Sequence, residues 1–541
     1  MKKSVFGWCL SAMLGLSSLL PMSTATAQQG DVAPALVVSV GPAGKVLEDL
    51  LYLTKSVGQP MVGGMAKGVA DQFLAPIDQK RPMGMYLTLD SGAPEMVVFA
   101  PVSDFDGLVD LIAENAGDPE VDGDYTIFSL PNGENLYLTE EGDWTFAAQN
   151  DEALENLPGD PGAWIEEMSS YTLGVRVLAG NVPTEMKEMA MSQIREGYEQ
   201  VLDSLPPDQA EQQRAMSGMQ MDQLEEMVEQ LDELVVGLAV DSKAKELHLD
   251  FAVTAVEGSQ MAEQMALQSD AESAYLGFLL ADAAMNMAFA QKISPADAEQ
   301  GVQAMEQAME QAMSQMADEA GNMTDEQREL VEGFVGALKD SLAATVRSGR
   351  MDAGASIVLD DETTALVAAV YALETGKIED SIKAIVKAIG DEAPPGVEFN
   401  LDARKDKTAN WHEIVIPVPA GNAEAQKMFG ESVSIWLGVA DEALYVAAGR
   451  NGEEVLKRAL SGSGQAVEGR SAEINMDFGR VIDFVAGVQA DDPMAQMMAD
   501  AVKGKNASMS MYSEAIDNGS RSRIVIREDL LKVLGEVGTM F

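Results

Sequence analysis

GMYLTLDSGAPEMVVFAPVSDFDGLVDLIAE, residues 84–114, decides how the chain is read, because its order of elements returns as GASIVLDDETTALVAAVYALETGKIEDSIKAIVKAI at residues 354–389. In the first stretch Met85, Leu87 and Leu89 recur at every second position, the period of a half-buried strand. Ser91-Gly92 supplies a turn, and PEMVVFAPV (94–102) runs back as a second strand. The second stretch turns at Asp361-Glu362 into TTALVAAVYAL (363–373). Each then enters an amphipathic helix. In the first, Phe105, Leu108, Val109, Leu111 and Ile112 make one stripe at helical spacing, which lays the helix on the sheet. Ser103 before Asp106 reads as its cap. Each stretch closes with an aromatic hairpin and a short acidic helix, NLYLTEEGDWTFAAQNDEALENL (135–157) against SIWLGVADEALYVAAGRNGEEVLKRAL (434–460).

The correspondence widens outward. Strands are expected at 35–40, 125–130, 144–149, 171–179, 234–241 and 246–256, and again at 472–477, 507–516 and 521–527, with 274–280 standing for 35–40. One helix is expected over 481–502. The fold class is therefore α+β: two tandem related units, 32–270 and 271–541, each a mainly antiparallel sheet covered by helices. The second carries an inserted Met/Ala-rich helical hairpin, 294–347, where Ser294, Pro295 and Asp297 form a helix start. The first instead extends its helices beyond Pro183, with a break at Pro206-Pro207.

Residues 1–27 read as a signal peptide: Lys2 and Lys3, an apolar run over 5–20, and Ala25-Thr26-Ala27 as the cleavage site. The single cysteine, Cys9, lies inside that leader, so the mature chain is free of cysteine and of disulfides, thiol nucleophiles and thiolate ligands. The expected location is the periplasm, the cell envelope or the exterior. The 541 residues carry 88 Asp and Glu against 36 Lys and Arg, a net charge of −52, and losing Lys2 and Lys3 deepens it. Such a surface repels nucleic-acid phosphates and anionic lipid. No apolar run after the leader is long enough to span a membrane, and the closing Phe541 follows a helical pattern, not a barrel strand.

Candidate sites are few. Met305, Met309, Met313 and Met316 recur at helical spacing, and clustered thioethers suit Cu(I), but the same spacing makes an Ala/Met packing seam. Asp118, Asp122 and Asp124 in GDPEVDGDY offer hard oxygens for Ca²⁺, although the spacing is not that of an EF-hand. An acidic turn on an acidic protein has the same appearance. Of the two histidines, His248 is expected on the polar face of its strand with Glu246 and Asp250, opposite Leu247, Leu249, Phe251 and Val253. His412, next to Trp411 at the start of another strand, is expected to be solvated or at an edge. Two histidines cannot build a three-histidine zinc site, and neither H-E-x-x-H, a G-x-S-x-G elbow nor a phosphate-binding loop occurs. The basic groups 404–407 and 521–523 read as turn and edge-strand solubility devices.

GMYLTLD with its hairpin and the ALYVAAGRNGEEVL step (443–456) resemble those of exported bacterial proteins of unknown function that carry repeated sheet-plus-helix units. That resemblance implies a fold and brings no catalytic residues. The functional expectation is a non-catalytic binding or structural module with a protein or small-molecule partner and no cofactor. The rival is a hydrolase working through two carboxylates of divergent pKa.

Overall fold

In a computed structural model the described residues are 32–89, 94–204, 214, 221–222, 224–319, 324–390, 393–462 and 470–538. The expected leader 1–27, the expected turn at Ser91-Gly92, the expected break at Pro206-Pro207 and Phe541 lie outside them. The chain is mixed α and β, with extensive antiparallel pairing, and divides into two compact units, Met1–Ala262 and Glu263–Phe541.

Among the described residues the first unit holds β1 (Leu36–Val40), β2 (Met83–Thr88), β3 (Glu95–Ala100), β4 (Glu120–Asp122), β5 (Tyr125–Ser129), β6 (Asn135–Glu141), β7 (Trp144–Ala148), β8 (Leu173–Leu178), β9 (Leu231–Asp241) and β10 (Glu246–Ala255). They lie in the order β10-β9-β8-β1-β2-β3-β7-β6-β5-β4, every pair antiparallel. The second unit holds β11 (Met285–Lys292), β12 (Arg350–Leu359), β13 (Thr364–Tyr371), β14 (Glu398–Lys405), β15 (Asn410–Pro417), β16 (Ser432–Ala440), β17 (Ala443–Arg450), β18 (Arg470–Asp477), β19 (Ser508–Ile516) and β20 (Gly519–Arg527). Their order is β20-β19-β18-β11-β12-β13-β17-β16-β15-β14, again all antiparallel.

Two features of that order are not sequential. The first strand of each unit sits between the second and the eighth, and the third pairs with the seventh: Val98 faces Ala147 in one unit, Ala368 faces Val446 in the other. The slot between first and second strands holds two helices in both units. They are Ala43–Ser56 and Pro60–Phe73 in the first, Pro295–Glu319 and Asp325–Arg347 in the second. Ser294 caps the longer pair as expected, its hydroxyl donating to Asp297 at 2.7 Å and accepting from the Asp297 amide at 3.2 Å.

Each core combines large side chains of the strands with a few from the helices and turns that cover them. In the first unit Tyr86, Phe99, Trp144, Phe146 and Ile165 are buried, with Phe99 edge-on to Trp144 at 5.4 Å. The helix Phe105–Ala116 covers Phe128, Leu136 and Leu138 through Ile112. In the second unit Phe278, Val367, Trp411, Ala447 and Leu456 form the equivalent mass.

Several expectations are corrected. Residues 274–280 form no strand: Leu276–Phe278 is a short 3₁₀ turn, and the first strand of the second unit is β11. The helix expected over 481–502 is two, Phe478–Val488 and Pro493–Val502. Pro493 has no N–H to continue the first helix, and the Asp492 carboxylate accepts from the Met494 amide to start the second. The cap of Phe105–Ala116 is Asp104, which accepts from the Gly107 amide at 3.0 Å, while Ser103 donates to the Pro76 carbonyl. On β10 the faces are reversed at the middle of the strand. Asp250 is fully buried, receiving the Tyr171 hydroxyl at 2.9 Å, and Phe251 is 38 % exposed. A satisfied buried carboxylate is indistinguishable from a solvated one in an alternation pattern. Among the described residues no helix is long and apolar enough to cross a membrane.

Candidate functional site

The strongest cluster of titratable side chains is assembled by the β14–β15 hairpin and the helix Thr375–Ile389. The hairpin turn is organised by Asp406, whose carboxylate accepts from the amides of Thr408 and Ala409 and from the Trp411 indole at 3.0 Å. That bond fixes Trp411 in the core. Opposite it in register is Gly438 on β16, where a Cβ would sit 2.5 Å from the Trp411 ring, so only glycine leaves room for the indole. Strand alternation then turns the next residue, His412, to the other face, toward the helix. The helix is pinned at its start by the Thr375 hydroxyl, which donates to the Ala440 carbonyl of β16 at 2.5 Å. One turn on, Glu379 and Lys383 stand four residues apart on the same flank.

On the outer strand β14 the pairing slips between Asn400 and Arg404, and Asp402 at this bulge takes a φ of +52°. Its amide donates to His412 Nδ1 at 3.1 Å. Its carboxylate and that of Glu379 share two donors. The Lys383 ammonium lies 2.7 Å from Glu379 Oε1 and 2.8 Å from Asp402 Oδ1, and the Asn410 amide donates to the same two oxygens at 2.7 and 2.5 Å. His412 is only 2 % exposed, and among the described residues its Nε2 makes no hydrogen bond, with Glu379 Oε1 3.5 Å away.

These contacts set the protonation states. Burial pushes the Glu379 carboxyl up, but the hydrogen bonds from Lys383 and Asn410 outweigh it and hold the group below the usual range. Lys383, then Asn410, hold Asp402 low as well. Asp402, then Glu379, raise the Lys383 ammonium. Burial lowers the His412 imidazole, against the opposing pull of Glu379 and Asp402. At neutral pH the group is thus two carboxylates, one ammonium and a neutral ring.

Glu379, Asp402 and His412 each offer a ligand-type atom, all within 4.8 Å of one another, and these are elements a divalent cation accepts. The residues as arranged do not fit one. Lys383 already stands as an internal cation between Glu379 Oε1 and Asp402 Oδ1. A neutral imidazole has a single ring lone pair, and His412 gives it to the Asp402 amide through Nδ1, so the proton resides on Nε2. The ring nitrogen 3.5 Å from Glu379 Oε1 is then a donor, not a ligand.

The sequence-derived candidates fall elsewhere. Asp118, Asp122 and Asp124 are exposed around the β4–β5 hairpin, whose turn is made by Gly123 at φ +61°. Met305, Met309 and Met313 are half-buried along Pro295–Glu319, and the Met316 side chain lies outside the description. That helix is tied to its partner by a two-pronged Arg347–Glu299 bond. His248 meets Glu246 at 2.8 Å on β10, half-buried. His412 corrects the expectation of a solvated or edge histidine: it is on the second strand from the edge, and the helix covers it. The usable signal was the pair of patterns E-x-x-x-K on the helix and N-x-H on the strand, each of which puts two polar groups on one face.

A cleft of about 430 Å³ also opens in the second unit, between the β12–β13 turn and the helices Ala423–Phe429 and Phe478–Val488. Its apolar lining includes Leu359, Phe484 and Val488. Its cations are engaged locally, Arg480 with Asp477 and Lys427 with the Val488 carbonyl. No protein-family model, curated protein or solved structure matches the chain.

Proposed function

We infer that the chain is a non-catalytic, exported acidic protein of the cell envelope, made by tandem duplication of one ten-stranded unit and acting as a binding or structural module. The observation that carries this reading is the repeated strand order, including the two non-sequential placements, which two unrelated α+β sheets have no reason to share. The long hairpin Pro295–Glu319 and Asp325–Arg347 is then an enlargement of a helix pair present in both units. The internally paired group at Glu379, Lys383, Asp402 and His412 supports a positioning role over catalysis, since its acids are held ionised and occupied.

Two measurements on the full chain test the reading. Fractionation followed by N-terminal sequencing is expected to give a mature protein beginning at Gln28 outside the cytoplasm; an intact leader on cytoplasmic protein would contradict export. A panel of chromogenic ester, glycoside and peptide substrates is expected to show no turnover. Turnover by the wild type that is lost in Glu379→Gln would replace this reading with the carboxylate hydrolase.

A further inference from the structure

We propose that His412 is a proton-operated latch that holds the bulge of edge strand β14 onto the sheet and releases it in mild acid. The geometry is specific. The latch bond runs from the Asp402 amide to His412 Nδ1, and it exists only while that nitrogen carries a lone pair. Protonation converts Nδ1 to N–H and sets two donors against each other at 3.1 Å. The amide that loses its acceptor belongs to a residue at φ +52° in a stretch where ladder pairing is already interrupted, so no neighbouring strand bond replaces it. β14 is an outermost strand of its unit's order, held to one strand neighbour, β15.

The charged groups around the ring set the threshold. From the helix Thr375–Ile389 come Glu379 and Lys383; from β14 comes Asp402; the register partner on β16 is the uncharged Leu437, and Asn410 on β15 is neutral. Glu379, 3.5 Å from Nε2, attracts a charged ring but already faces the hydrogen-bearing nitrogen, so it cannot restore the lost acceptor at Nδ1. Enclosure at 2 % exposure opposes the charge, in agreement with the lowered histidine pKa.

The sign follows from linkage. The folded ring binds its proton less readily than an unfolded histidine, whose pKa is about 6.5. Above that value the latch is fully formed. As pH falls below it the opened strand takes up a proton that the closed one refuses. Opening then grows by up to about tenfold per pH unit until the folded pKa is reached. This behaviour needs no ligand and is independent of the binding or structural role inferred above.

Hydrogen exchange of the full chain tests it, followed by mass spectrometry of peptides covering 398–405 and, as an internal reference, 508–516. After correction for intrinsic exchange, the wild type is expected to lose protection in 398–405 between pH 7 and pH 5, with 508–516 unchanged. His412→Asn keeps an acceptor near the Nδ1 position and cannot titrate, so its 398–405 protection is expected to be flat over the same range. Equal pH responses in the two proteins, or none in the wild type, would overturn the proposal. A measurement that needs no variant stands beside it. The chain has two histidines, so a ¹⁵N-histidine spectrum reports His248 and His412 alone. His412 is expected as the Nε2–H tautomer at pH 7.5, and an Nδ1–H tautomer would refute the latch.

Discussion

His412 and Trp411 are neighbours that the strand sends to opposite faces, and both are buried. Trp411 fills the core against Gly438 and spends its indole hydrogen on Asp406. Truncating it to alanine should cost about 3–5 kcal/mol, as for other enclosed aromatic side chains, measurable as a lower denaturant midpoint with unchanged slope. A cost near zero would mean the side chain is not in the core. The ring of His412 should ignore Zn²⁺: its ¹⁵N signals are expected to stay in place through a titration, because Lys383 occupies the oxygens and Nδ1 is committed. A shift that saturates at one equivalent would show a real metal site. The sequence shows only fragments of this group, the E-x-x-x-K and N-x-H spacings, and does not bring them together. Its members come from three elements spanning 379 to 412, and nothing in a strand pattern distinguishes a polar residue facing water from one facing a helix that supplies its partners. The same ambiguity reversed the reading of Asp250 and Phe251.

At the scale of the element, the sequence was most legible where period and punctuation agreed. The hairpins of β2 with β3 and β12 with β13, the stripe of Phe105–Ala116 and the Ser294 box all follow from spacing and caps. Legibility failed where a strong local signal had a closer competitor. Asp104 took the cap expected of Ser103, and Pro493 with Asp492 divided an apolar run that reads as one helix. Replacing Asp492 with alanine should therefore destabilise the protein by about 1 kcal/mol, the usual cost of losing a side-chain cap. It should also raise amide exchange in the first turn of Pro493–Val502. No change in that turn would mean that Pro493 alone starts the helix. β14 escaped the sequence reading because it is an edge strand, rich in charge and interrupted by a bulge, which blurs the alternation that marks a strand.

At the scale of the molecule, the echo between residues 84–114 and 354–389 led to the whole, since each is the centre of a ten-stranded unit with one order. What composition could not give was that order, because pairing of the third strand with the seventh is set by contacts far apart in the chain. The sequence has one cysteine, Cys9, within the stretch proposed as an export leader, so with Cys9 replaced by serine paired cysteines can be introduced without background. The direct test is to place them at Val98 with Ala147, and separately at Ala368 with Val446, which face each other across the non-sequential pairing of the first and second units. A disulfide is expected to form on mild oxidation of both folded variants, read as a mobility change reversed by reductant. If one pair closes and the other does not, the two units do not share a strand order, and the account of a duplicated fold is wrong.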